Sequence, residues 1–246
     1  MKISAQKLSD FLTLVAMSGE LEATEAVLTG DTKHLVVLTK PSKTGAVVVR
    51  AELDGDFSSI GIAGLANITL FNKFLKAFKG DVEITKTPHS LELSDGKKRV
   101  EVELKSPALQ YVMVVNGSQF DHTKWAGLRA KTVGNEFTLT PVDVAELADY
   151  YSAFGKDIVI EGENSEIKFN LTSGDDKLKL NVTVPETVKK FKTKVAGLIL
   201  TVFGFIKDNT VTLSANDTAT GVMAILVASK GKDYSIEYIV APMKVK

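Results

Sequence analysis

The sequence predicts an α+β fold of two similar halves, each setting a pair of amphipathic helices against antiparallel sheets. The first observation behind this is a recurring unit of amphipathic helix, Gly/Lys/Asp/Asn turn and alternating strand. It reads LFNKFLKAFKGDVEIT at 70–85, ADYYSAFGKDIVIEG at 148–162 and LTVFGFIKDNTVTLS at 200–214, with KLSDFLTLVAMSG at 7–19 as a weaker fourth copy. A chain that repeats one supersecondary unit builds similar halves, so function belongs to the assembled shape. The second observation is that short, alternating or β-branched runs fill the intervals between helices, as antiparallel meanders do. The third is a loosening of pattern into polar Gly/Ser/Asp sequence near the middle, after which the order restarts.

In chain order, Leu8, Phe11, Leu12 and Val15 fall at i, i+3, i+4 and i+7, which predicts a helix over 5–17 with one buried stripe. EAVLTG, HLVVLTK and GAVVVRAEL follow as strands separated by GDT and PSKTG turns. A second helix is predicted from about Ala66 to Lys79, burying Ile68, Phe71, Phe74, Leu75 and Phe78. DVEITKT, SLELSD and KRVEVELK alternate cleanly, so each shows one wet and one packed face. These elements make an N-terminal domain of 1–115, and 116–125 reads as a connecting segment. The C-terminal domain, 126–246, repeats the plan. It has a helix over Asp143–Phe154 burying Val144, Leu147, Ala148 and Tyr151, with Pro141 where a first turn tolerates it. Strands DIVIEG, EIKFNLTS and KLKLNVTVP come next, then a helix over Val195–Ile206, then TVTLSAND, GVMAILVAS and YSIEYIVAP.

Composition closes off several classes of function. The 246 residues hold 30 Lys plus Arg against 30 Asp plus Glu, so net charge supplies no long-range pull toward nucleic acid or membrane. Cysteine is absent, which removes disulfides, thiolate metal sites and cysteine nucleophiles and fits a reducing compartment. No run approaches the about 20 apolar residues of a membrane span, and the N-terminus lacks a signal-peptide core. The expectation is an intracellular protein without membrane contact, in which the sequons at Asn67, Asn170, Asn181 and Asn216 are chance matches. His34, His89 and His122 stand far apart without metal-ligand spacing. Gly61 and Gly64 precede a helix without the third glycine of a dinucleotide site, no phosphate-binding loop with its Gly-Lys-Ser/Thr ending occurs, and Glu101 with Glu103 reads as a solvated strand face. The expectation is no catalytic residue, no metal, no cofactor and no enzymatic activity.

Charge on the helices is more informative. Lys73, Lys76 and Lys79 recur every three residues opposite the Phe71, Phe74 and Phe78 stripe. The fourth helix is flanked by Lys189, Lys190, Lys192 and Lys194 before it and Lys207 after it. Spacing leaves two readings open, ordinary solubilising lysines or a phosphate-facing surface that attracts the backbone without reading bases. The third helix runs the other way, with Asp143, Glu146 and Asp149 at the same three-residue spacing, and the first offers only Lys7 beside Asp10.

Across its whole length the chain resembles the sliding clamps of the proliferating cell nuclear antigen family. The carriers are LTGDTKHLVVLTKP at 28–41, ITLFNKFLKAFKGD at 68–81 and the ending TVTLSAND…YSIEYIVAPMKVK. The resemblance implies two clamp domains per chain, three chains closing a ring around duplex DNA with helices lining the hole, and tethering of DNA polymerases without hydrolytic activity. It implies DNA contact by Lys73, Lys76 and Lys207, to which spacing adds Lys79 and the first helix its Lys7. The acidic third helix departs from the family's basic pattern. The resemblance also implies ring closure by pairing of edge strands around Tyr111, Val112, Met113 and Val114 in one chain and Leu178, Leu180 and Val182 in the next. A pocket for polymerase or ligase tails would use His34, Phe120, Trp125, Ala241, Pro242 and Met243, although Trp125 reads equally as a packed core anchor. The implied partners are double-stranded DNA, DNA polymerase and other tail-bearing proteins, a clamp loader and further copies of the chain. The implied location is with replicating DNA, in the cytoplasm of a prokaryotic or virus-infected cell or in a nucleus. Other readings stay open: a monomeric processivity factor that does not encircle DNA, one member of a heterotrimeric ring, or a β-rich scaffold that does not bind DNA.

Overall fold

The computed structural model describes residues 1–17, 25–39, 47–105, 113–115, 118–150, 157–173, 175–215 and 225–240, with 113–115, 118–120, 157, 196 and 198 as backbone. It is an α+β protein of five helices and antiparallel sheets among the described residues. The chain divides into two compact units. One comprises Met1–Thr44, Val48–Lys124 and Lys232–Ile236; the other comprises Gly45–Val47, Trp125–Gly231 and Glu237–Lys246.

In the first unit, β1 (Lys2–Ser4) runs straight into α1 (Ala5–Ala16). Ser4 makes the junction, its Oγ accepting from the Lys7 N–H at 3.3 Å, and Met17 ends the helix in the left-handed conformation. Leu8, Phe11, Leu12 and Val15 are buried, as the periodicity predicts. β2 (Ala26–Gly30), β3 (His34–Thr39), β4 (Val47–Asp54) and β5 (Ile62–Leu65) lie in the order β5-β2-β3-β4, every neighbour antiparallel. α2 (Ile68–Leu75) is capped by Asn67, whose Oδ1 accepts from the Leu70 N–H at 2.8 Å. It packs on α1, with Asn72 Nδ2 donating to Thr13 Oγ1 at 2.9 Å. α2 is shorter than the periodicity predicts. Ala77 and Phe78 donate to Phe74 and Leu75 in a tightened last turn, and Gly80 at φ +101° redirects the chain. Phe78 is buried beyond the helix and Phe74 only half-buried. β6 (Asp81–Lys86), β7 (Ser90–Ser94) and β8 (Arg99–Glu103) complete a four-stranded sheet in the order β1-β6-β7-β8.

β9 (Met113–Val115) and β10 (Ser118–Phe120) form a short antiparallel pair. α3 (His122–Thr132) then begins inside the segment expected to be a polar connector, started by Asp121, whose Oδ1 accepts from the Lys124 N–H at 2.9 Å. This fifth helix was not expected. Its only buried residues are Trp125 and Thr132, so it carries no apolar stripe to read.

In the second unit β11 (Asn135–Leu139) leads into α4 (Pro141–Asp149) through a capping box. Thr140 Oγ1 accepts from the Asp143 N–H at 3.3 Å while Asp143 Oδ2 accepts from the Thr140 N–H at 2.9 Å. Val144 and Leu147 are buried, Ala148 is half-buried, and the end predicted at Phe154 lies outside the described residues. β12 (Asp157–Ser173) and β13 (Asp176–Ala196) form one long antiparallel hairpin. This corrects two expectations. The two predicted strands DIVIEG and EIKFNLTS are one strand, and Lys189, Lys190, Lys192 and Lys194 lie on β13 instead of flanking the last helix. The hairpin bends at a bulge around Gly162 and Asn164, where Asn164 takes φ +58°. α5 (Leu198–Ile206) starts three residues later than predicted, because Val195 belongs to β13. Ile199, Val202, Phe203 and Ile206 are buried, and α5 packs against α4. β14 (Val211–Ala215) and β15 (Ile225–Lys230) follow, in the order β11-β14-β15, and β16 (Tyr234–Val240) is divided between the two units after Ile236.

Candidate nucleic-acid interface

The basic candidates gather at the end of α2. Lys73 sits in its last turn and Lys76 is its C-cap residue, both exposed, on the side away from buried Phe71 and Leu75. A lysine at a helix C-terminus is favourable by roughly 0.3–1 kcal/mol through the dipole, so helix stability accounts for part of the placement. Among the described residues no carboxylate pairs with Lys73, Lys76 or Lys207. Lys79 lies past the helix end and borders a shallow cleft with Lys2, Asp81 and Asp95. The helical three-residue spacing therefore joins Lys73 to Lys76 and does not extend to Lys79. Lys98 closes the end of α2 from below, Nζ donating to the Ala77 carbonyl at 2.9 Å.

The remaining basic candidates differ in company. Lys7 is bound to Asp233 at 3.0 Å. Lys207 is the exposed C-cap of α5 and precedes exposed Asp208. On α4, Asp143 is committed to the capping box, while Glu146 and Asp149 are exposed. Two of the β13 lysines are tied to their own hairpin: Lys192 to Glu161 at 2.6 Å and Lys190 to Glu163 at 3.4 Å. The Lys192 ammonium holds the Glu161 carboxylate below its ordinary range.

Of the tail-pocket candidates, His34 is half-buried at the start of β3 and shaped by Asp31. Asp31 Oδ1 accepts from the N–H groups of Lys33 and His34 at 2.6 and 2.7 Å, which keeps this exposed carboxylate below the usual 3.8. Trp125 is 3% exposed, so its indole packs inward from α3, in keeping with a core anchor. Phe120 belongs to β10 by its backbone, and Ala241, Pro242 and Met243 lie outside the described residues. His122, set aside in the sequence as a metal ligand, lies exposed at the start of α3. Partial desolvation and the nearby Arg50 guanidinium push it below the usual 6.5.

Of the edge-strand candidates, Tyr111 and Val112 lie outside the described residues, and Met113 and Val114 belong to β9. Leu178, Leu180 and Val182 are half-buried on β13, paired in register with Leu171, Phe169 and Ile167. Among the described residues β13 has one ladder partner, so its other edge presents backbone donors and acceptors.

The chain matches no family model, and no curated protein matches it. Solved structures do. It superposes on proliferating cell nuclear antigen from Entamoeba histolytica with a TM-score of 0.69 at 14% identity, covering 99% of this chain and 98% of that one. Against the Archaeoglobus fulgidus (A. fulgidus) antigen, solved with the C-terminal region of FEN-1 bound, the TM-score is 0.73 at 11% identity, covering 100% and 98%. The DNA polymerase sliding clamp of Caulobacter crescentus gives 0.70 at 12%, but this chain spans only 65% of that one. The fold is that of the sliding clamps.

Proposed function

We propose that this protein is a DNA sliding clamp, a processivity factor that encircles duplex DNA without sequence preference and tethers replication and repair proteins. The observation that carries the reading is the clamp fold over the whole chain, matched end to end by chains of similar length. Two clamp domains, 1–115 and 126–246 joined by 116–125, then make a ring of six domains from three copies. The unpaired edge of β13 around Leu178, Leu180 and Val182 supports closure by strand pairing with the segment Tyr111–Val114 of the next copy. Lys73 and Lys76 suit weak, phosphate-directed contact, and Lys79 and Lys207 are further candidates. Lys7 would join only on leaving Asp233.

The partners in this reading are double-stranded DNA, a DNA polymerase and other proteins with clamp-binding tails, a loader, and the chain itself. His34 and the Ala241–Met243 segment are the proposed tail contacts. The protein has no reaction of its own and works where DNA is being replicated.

The test is topological. A ring threaded onto linear duplex stays bound while both DNA ends are blocked and is lost when one block is released. A protein that binds by charge alone dissociates equally in both cases, and a scaffold does not bind.

A further inference from the structure

Resting on the clamp reading, we propose that the N-terminal unit alone supplies the phosphate contacts, through Lys73 and Lys76, and that the C-terminal unit repels the duplex through Glu146 and Asp149. DNA is then held toward the N-terminal units of the ring, at one patch per chain.

The helices differ in the charge they leave unpaired. α2 contains no acidic residue, and both its exposed lysines are without a carboxylate partner among the described residues. α1 adds no net positive charge, because Lys7 is bound by Asp233 at 3.0 Å and exposed Asp10, which accepts from Gln6 Nε2 at 2.7 Å, keeps its negative charge. α4 contains no basic residue; Asp143 is used by its capping box, while Glu146 and Asp149 are exposed and, among the described residues, without a cation. Their three-residue spacing puts both on one helix face.

The helix dipole explains Asp143 at the N-terminus but works against Asp149, which is the last residue of α4. Helix stability therefore gives no reason for that carboxylate. On α5 exposed Lys207 is followed directly by exposed Asp208, so that end of the helix carries no net charge. Since exposed charges are screened over about 8 Å at physiological salt, these faces act on the phosphates nearest them and do not average out.

The test is the affinity of the intact protein for a short open-ended duplex, read by fluorescence anisotropy across a salt series. Lys73→Gln with Lys76→Gln is expected to weaken binding at least about 10-fold at low salt and to flatten the dependence on log salt by roughly 0.9 for each phosphate that is no longer neutralised. Glu146→Gln with Asp149→Asn is expected to tighten binding a few-fold, about 2–5-fold, and Lys207→Gln to leave it nearly unchanged. An effect of Lys207→Gln equal to that of the α2 pair overturns the proposal, as does unchanged affinity on neutralising the α4 pair. Thermal melts identify any variant that fails to fold, and the α4 pair, whose carboxylates have no bonding partner among the described residues, remains as an independent readout. The blocked-end assay separates the two readings: retention with no effect of the α2 pair sinks this proposal alone, whereas absence of retention sinks the clamp.

Discussion

The two units share an order of elements at their helices and part company between them. In each, a strand enters a helix through a Ser or Thr cap, and the strand after the second helix returns to pair with that first strand. β1 pairs with β6 from Lys2↔Glu83 to Ser4↔Asp81, and β11 pairs with β14 from Asn135↔Ala215 to Leu139↔Val211. Between their helices, among the described residues, the first unit has four strands of 4 to 8 residues, whereas the second has two of 17 and 21. Even there a common device survives, a glycine pressed by a phenylalanine. A Cβ on Gly30 would come within 2.2 Å of the Phe57 carbonyl oxygen, and one on Gly162 within 2.2 Å of the Phe191 ring. The helix pair and its closing strand are the half of the design that both units share, and the strands between the helices are the half that differs.

The largest effects should come from the equivalent helix cores. Leu12→Ala and Leu147→Ala, both at buried positions, are each expected to cost about 2–5 kcal/mol in chemical denaturation. If the units are independently cooperative, each variant lowers one transition; a shared shift would erase the division into two. Next come Gly30→Ala and Gly162→Ala, at about 1–3 kcal/mol. Gly30 should be the worse of the two, because it meets backbone that cannot turn aside while Gly162 meets a ring, and equal melting losses would contradict that difference. Thr140→Ala and Asn67→Ala should each cost about 1 kcal/mol by removing a helix cap. α5 has no side-chain cap at Gly197, so Gly197→Ala should lack that penalty.

The smallest effect concerns pH and the first unit only. Partial desolvation and the Arg50 guanidinium set the folded pKa of exposed His122 below 6.5. The unfolded chain therefore takes up the proton first, and stability that is complete above pH 6.5 falls away as pH drops from 6.5 through the folded value. Melting temperatures of His122→Gln should be flatter with pH in that window than those of the parent protein, and parallel curves would remove His122 from the account.

The helices with apolar stripes were legible, because Leu8, Phe11, Leu12 and Val15 keep their helical phase through the whole of α1. α3 was not, since a helix that buries only Trp125 and Thr132 has no period to detect. The long hairpin hid for a different reason. Buried residues on β12 are even-numbered through Ile158, Ile160 and Gly162 and odd-numbered at Ile167, Phe169 and Leu171. β13 changes phase in the same way between Val188 and Phe191. A bulge moves every later side chain to the other face, so one strand reads as two. Gly162 followed by Asn164 was the available signal. For the candidate interface, spacing located Lys73 and Lys76, but not the Asp233 that engages Lys7 or the early end of α2 that strands Lys79.

The central claim, a ring of three copies, is tested most directly by the solution mass from light scattering after size exclusion across a concentration series. The account predicts a mass of three chains that persists on dilution. A monomer at every concentration would contradict it, and a stable dimer would be incompatible with six clamp domains.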